Sequence, residues 1–153
     1  MSIKQSAGIL LYRNTNNILE IFLVHPGGPF FKNKDEGSWS IPKGEFLDDE
    51  EALAAAKREF QEETGQAIDG NFISLGSIKQ KNGKTVYAWA VEGDINNETI
   101  LSNTCEVEWP PRSGKKITIS EIDRAGWFEV DEAKGKINPA QAELIDRLIN
   151  SQA

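Results

Sequence analysis

The stretch from Gly44 to Gln66, GEFLDDEEALAAAKREFQEETGQ, restricts the fold more tightly than any other part of the chain. Leu53, Ala56 and Phe60 recur at the helical period and form one apolar stripe, so residues 50–64 are expected to be a helix packed on a sheet. Asp48 or Asp49 is placed to cap it, Glu50 and Glu51 sit where the helix dipole favours anions, and Gly65 stands at the usual C-terminal position. Ala52, Ala54, Ala55 and Ala56 keep the helix slim. On it, Glu59 and Glu63 lie one turn apart, with Glu62 in side-chain reach of the same point and Arg58 beside them. Carboxylates held that close repel each other unless a cation lies among them. Hard oxygen donors suit Mg²⁺, which proteins usually hold with a few carboxylates and substrate phosphates. The helix alone therefore points to a metal-dependent enzyme acting on a phosphate compound.

The rest of the pattern supplies a sheet for that helix. Ser6 to Arg13 and Ile18 to His25 are apolar runs flanking the polar turn at 14–17, a β-hairpin. Pro26-Gly27-Gly28-Pro29 ends the second run, and a loop to Gly37 follows. Ser38 to Ile41 reads as a short strand before a turn at Pro42-Lys43-Gly44. Phe72 to Lys79 and Thr85 to Glu92 read as strands around Lys81-Asn82-Gly83. Glu106 to Trp109 and Lys116 to Ile119 flank Pro110-Pro111-Arg112-Ser113-Gly114, and Gly126 to Val130 is a further short strand. Asn138-Pro139 caps and opens a last amphipathic helix through Leu144, Ile145, Leu148 and Ile149. Strands on both sides of a central helix give an α/β class with a mixed sheet. With 153 residues and no linker, repeat or low-complexity tract, 1–153 is expected to be one domain.

Charge and cysteine usage narrow the partners. A net charge of −7 argues against bulk nucleic-acid binding, which depends on cationic phosphate contacts. A small nucleotide remains compatible, because a bound cation supplies local positive charge. Cys105 is the only cysteine, so the chain can form no internal disulfide and a cytoplasmic setting is expected. Residues 1–5 lack the features of a secretory signal, and no apolar run is long enough to span a bilayer.

Gly44, Glu50, Arg58-Glu59-Phe60, Glu62-Glu63 and Gly65 stand at the spacing that resembles the signature of the Nudix hydrolases. The position after Gly65 departs from it, being Gln66 where an aliphatic residue is usual. The resemblance implies a Nudix-type α/β/α sandwich around a mixed sheet, and hydrolysis of a phosphoanhydride by water with Mg²⁺, or Mn²⁺ in its place. It implies Glu59, Glu62 and Glu63 as metal ligands with the Gly44 carbonyl, Arg58 as a partner for Glu50 or a neighbouring carboxylate, and Glu62 or Glu63 as proton acceptor. A glutamate from a later loop is the alternative acceptor, and Glu121, six residues before Trp127, has a spacing similar to that of the enzymes acting on diadenosine tetraphosphate. A surface carboxylate capping a turn is the competing reading of Glu121; Glu106 and Glu108 are weaker candidates.

Trp39-Ser40-Ile41-Pro42-Lys43-Gly44 is similar to a segment of the same subfamily, implying a phosphate contact by Lys43. Tyr87 is similar to a base-adjacent tyrosine but is displaced by one position, which alternation along a strand turns to the opposite face. Trp39, Phe30, Phe31 and Trp89 are the other candidates for stacking an adenine, and each also reads as a core or rim residue. The expected substrate is a dinucleoside polyphosphate or nucleoside triphosphate. The alternatives are ADP-ribose or another nucleotide sugar, a triphosphorylated RNA end, or a nucleotide-binding module without turnover. The protein is expected as a monomer or homodimer. The proline-rich tip with Arg112, Lys115 and Lys116 reads either as a phosphate contact or as a plain charged hairpin, and His25 either bonds locally or touches a phosphate.

Overall fold

The computed structural model describes residues 5–81 and 83–152. Strands β1 (Gln5–Thr15) and β2 (Ile18–Pro26) form the expected hairpin, with Asn16 and Asn17 at φ 53° and 67° in its turn. β3 (Lys43–Glu45), α1 (Ala52–Thr64), β4 (Ile73–Lys79) and β5 (Thr85–Glu92) follow. β6 (Thr104–Glu108) and β7 (Lys116–Ser120) pair only with each other. β8 (Ile122–Glu129), α2 (Val130–Lys136) and α3 (Ala142–Ser151) complete the order. The main sheet runs β4-β5-β1-β2-β8, with β3 bonded to β1. β1 and β5 are parallel and every other pair is antiparallel, so the sheet is mixed as expected.

Alternation along the central strands divides the interior in two. Ala7, Ile9 and Leu11 of β1, with Phe22 and Val24 of β2, face α1 and meet Ala55, Ala56 and Phe60. Leu10, Tyr12, Ile21 and Leu23 face the other way and meet Ala133 of α2 and Leu144, Ile145 and Leu148 of α3. Helices thus cover both faces of one sheet, which is the α/β/α sandwich.

Four local expectations are corrected. Ser38–Ile41 forms no strand: Ser40 and Trp39 make single bridges to Val24 and Ile137. The strand lies instead over the supposed turn, where Gly44 pairs with Ala7 and Lys43 with Gly8. Gly8 is needed there, since a Cβ would lie 2.7 Å from the Pro42 carbonyl oxygen. Neither Asp48 nor Asp49 caps α1. Its first residue is Ala52, Glu51 precedes it without a side-chain cap, and Asp48 accepts a hydrogen bond from the Gln5 amide (3.0 Å) instead. The strand expected from Gly126 starts earlier, at Ile122, and ends at Glu129; Val130 already belongs to α2. Asn138 caps a 3-10 turn over Pro139–Gln141, and α3 begins only after it. The turn centred on Asn82 lies partly outside the described residues. Among the described residues no helix is long and apolar enough to cross a membrane.

Candidate active site

Arg58 organises the carboxylates of α1. Its Nε and Nη2 each donate to Glu50, both at 2.9 Å, as a two-pronged fork. Nη1 donates to Glu59 at 2.8 Å and to both oxygens of Glu62 at 3.2 Å. One guanidinium thus joins three acids. The hydrogen bond to Glu50 is the main cause of the elevated Arg58 pKa, and in return it holds the Glu50 carboxyl below its ordinary value. Glu50, expected both near the helix dipole and as a partner of Arg58, makes that pair and locks the loop before α1 to the helix.

β3 passes beneath this group. A Cβ at Gly44 would lie 2.0 Å from Glu59 Oε2 and 2.1 Å from its carboxyl carbon, so the carboxylate occupies the space that glycine leaves open. The next ligand candidate is tied to the same strand: the Lys43 N–H donates to Glu63 Oε1 at 3.1 Å. Burial raises the Glu59 carboxyl pKa, with Glu62 and Glu121 adding to it, and lifts Glu63 to about 8, with Glu59 and Glu121 adding to it. Burial, then Glu62, raises Glu121 as well. These acids feel one another's charge and lack enough positive charge among themselves. Burial also lowers the pKa of the Lys43 ammonium, although Glu63, Glu45 and Glu59 pull it the other way.

Glu121 arrives from far along the chain. The Glu62 carbonyl accepts from Asn103 N at 2.8 Å, the Asn103 carbonyl accepts from Glu121 N at 2.9 Å, and the Glu121 carbonyl accepts from Gly27 N at 2.8 Å. Asn103 is therefore the backbone link between α1 and the outer carboxylate, and nothing in its local sequence marks it. Glu106 and Glu108 lie on the separate β6–β7 ribbon; Glu108 caps that ribbon's own turn.

Among the described residues no three acids already converge as a closed ligand set. The donor chemistry nevertheless fits a hard divalent cation. Glu59, Glu62, Glu63 and Glu121 supply oxygens only, their mutual repulsion is what a cation relieves, and the Gly44 cradle brings backbone against Glu59.

The aromatic expectations divide. Trp39 is 5% exposed, its indole N–H donates to Asp35 at 2.7 Å, and its ring meets His25 and Phe128 edge-on with Arg124 over it. It is a core ring with no open face, so base stacking by Trp39 is withdrawn. Tyr87 projects on the α1 side of β5, edge-on to Phe46, and stays 36% exposed; Ala7 lies between it and Gly44 across the sheet. Trp89 packs against the α1-side core. His25 is wholly buried and bonds Asp123 (2.8 Å) and the Lys34 carbonyl (2.7 Å), which is the local role.

A cavity of about 430 Å³ opens beside Lys43, lined also by Phe31, Lys34, Ser40, Gln80 and Gln141. Gln141 is 1% exposed; its Oε1 accepts from Ile41 N (3.1 Å), and its Nε2 donates to Ser40 (3.1 Å) and to Gln80 (3.1 Å). Those amides converge from three distant segments, and a single sequence carries no sign of it.

The family model for the NUDIX domain matches residues 3–148. Among solved structures, a C. elegans Ap4A hydrolase binary complex is 19% identical, with 98% of each chain covered and a TM-score of 0.69. The NUDIX domain of Shewanella oneidensis NrtR complexed with ADP ribose is 13% identical, covering 100% of this chain and 90% of that one, also at a TM-score of 0.69. A MutT protein from Bacillus halodurans is 15% identical over 94% and 80% of the two chains, with a TM-score of 0.61. No curated protein matches.

Proposed function

The chain belongs to the Nudix family, and from that premise we propose that it is a Mg²⁺-dependent pyrophosphohydrolase of a dinucleoside polyphosphate or nucleoside triphosphate, with water attacking phosphorus. The observation that carries this reading is the Gly44 cradle: a strand glycine gives up its side-chain volume to one carboxylate of an acidic cluster that a single arginine binds together.

In this reading Glu59, Glu62 and Glu63 hold Mg²⁺ with the Gly44 carbonyl, and Mn²⁺ can replace it. The bound ion supplies charge neutralisation on the bridging phosphates and a lowered pKa for water. Arg58 keeps Glu59 and Glu62 aimed and fixes Glu50 to the helix; it touches no reacting atom. Glu121 takes the proton from the attacking water, a role favoured by its raised carboxyl pKa, since a base works best with its pKa near the operating pH. Lys43 lies between the carboxylates and the cavity and contacts a phosphate oxygen. Tyr87 offers its open face to a base on the α1 side. Residues 1–153 act as one cytoplasmic domain, as a monomer or homodimer; both core layers share one sheet.

ADP-ribose is the second reading, because the Shewanella domain of the same fold is complexed with it. The test is a panel of diadenosine polyphosphates, nucleoside triphosphates and ADP-ribose with Mg²⁺, products separated, in ¹⁸O water to mark the phosphorus attacked. Glu63→Gln is expected to abolish turnover while the protein still melts cooperatively. Unchanged turnover by that variant removes the ligand assignment, and nucleotide binding without any phosphate release turns the reading into that of a binding module.

A further inference from the structure

β6 and β7 form a two-stranded ribbon outside the main sheet, and its construction exceeds what a plain connection needs. In register, Cys105 faces Ile119 and Val107 faces Ile117; Cys105, Val107 and Ile119 are half-buried, and Ile117 is exposed on the same side of the ribbon. Two contacts fasten it to the loop after β2. The Trp109 ring meets Phe30 edge-on with centroids 5.0 Å apart, and Ile119 lies over Gly28, where a Cβ would come within 2.6 Å of its Cδ1. Phe31, the next residue of that loop, lines the cavity that Lys43 also lines. Through Phe30 and its chain neighbour Phe31 the ribbon tip connects to the wall of the cavity that Lys43 lines, and the base of the ribbon runs directly into Glu121.

The tip is braced by its own hydrogen bonds. Both oxygens of Glu108 are used within it, accepting from Arg112 N at 2.8 Å and Gly114 N at 3.2 Å. Ser113 N donates to the Pro110 carbonyl at 3.1 Å, and Trp109 N to the Lys115 carbonyl at 2.9 Å. Held this way, Arg112 adopts φ 63°, a left-handed backbone that glycine or asparagine enters far more easily. Backbone strain of this kind persists where surrounding structure enforces it and clusters at active sites and ligand clamps. Yet among the described residues the Arg112 guanidinium has no partner: it is exposed and makes no ion pair, although the chain carries a net charge of −7. A strained, braced and unpaired arginine, with Lys115 and Lys116 behind it, is arranged for an anion from outside.

We propose that the β6–β7 tip is a second anion site, in which Arg112 binds a phosphoryl group of the substrate distant from the cleaved bridge. The inference rests on the hydrolase reading and deepens it, because it favours substrates with three or more linked phosphates over a simple diphosphate. A planar guanidinium suits a phosphate through paired N–H donors.

Arg112→Gly and Arg112→Lys test it. Glycine accepts the left-handed backbone, so the first variant should melt no lower than wild type. Its KM for diadenosine tetraphosphate and for ATP is expected to rise about tenfold or more, with kcat within about twofold. KM for ADP-ribose, which lacks the distal phosphate, should not move. Lysine should restore only part of the loss. Inorganic tripolyphosphate titrated calorimetrically into metal-free protein should bind wild type about tenfold more tightly than Arg112→Gly. A KM and a tripolyphosphate affinity unchanged by Arg112→Gly overturn the tip site, as does an equal loss for ADP-ribose. Should wild type turn over none of the substrates, the hydrolase reading fails by itself, and the calorimetry still decides the site.

Discussion

A methyl group at position 44 would point into the Glu59 carboxylate, 2.0 Å from its nearest oxygen. The atoms it meets are the end of a flexible side chain, so the fold can yield while the site cannot. Gly44→Ala is therefore expected to keep its melting temperature within a few degrees and to lose turnover by about 10²-fold or more, as displaced catalytic geometry does. Steady-state kinetics beside a thermal melt check both halves. Glu63 carries the pH prediction. Its carboxyl rises from 4.5 to about 8 because it is buried, so without metal the folded chain holds that proton more tightly than the unfolded chain. The contribution to stability is complete below the ordinary glutamate value and is lost as pH climbs through about 8. Glu59 and Glu121, also raised, act in the same direction. Chelator-treated protein should melt progressively lower over that window. Glu63→Gln should flatten the slope, and saturating Mg²⁺ should reduce it by displacing the proton.

α1 ends where Gly65 turns to φ 76°, donating its N–H to the Gln61 carbonyl at 2.8 Å. A Cβ there would strike the Leu101 carbonyl oxygen at 2.7 Å, and that oxygen is backbone. Gly65→Ala should cost about 1–3 kcal/mol in urea unfolding, more than glycine's conformational freedom alone explains. Such local features are what one sequence can display. The stripe of Leu53, Ala56 and Phe60, the closing glycine and the acids of α1 all repeat at a period set by the helix itself. β3 was not legible, because it exists through Gly8 and the Pro42 carbonyl, two segments far apart. α2 was missed where the strand was carried on to Val130; Asp131 and Glu132 at its start and Lys134 and Lys136 at its end were the available signal. Trp39 stands among the base-stacking candidates because its segment resembles that of the tetraphosphate enzymes, whereas His25, Phe128 and Arg124 close over it.

Several segments depend on one buried amide. Gln141 joins the turn before α3 to Ser40, Ile41 and Gln80, walling the cavity beside Lys43. Gln141→Ala leaves the buried Ile41 N–H without its acceptor, which costs about 1–3 kcal/mol. Denaturant unfolding should show that loss, and Gln141→Glu should recover part of it, since a carboxylate oxygen still accepts from Ile41. The same dispersal explains which half of the candidate site could be read in advance. Gly44, Arg58, Glu59, Glu62 and Glu63 share one continuous stretch. Asn103, Gln80 and Gln141 join it only when the sheet forms, and Glu121 was within reach only through its spacing from Trp127.

β1 lies parallel to β5, from Gln5 opposite Thr85 to Tyr12 opposite Glu92, so the innermost strand waits for a neighbour made some eighty positions later. While the protein is being synthesised, the first hairpin leaves the ribosome with one apolar edge unzipped, a state in which strands tend to pair with the wrong partner. The acidic helix follows within that interval, and its apolar stripe is what covers one face of the hairpin in the finished fold.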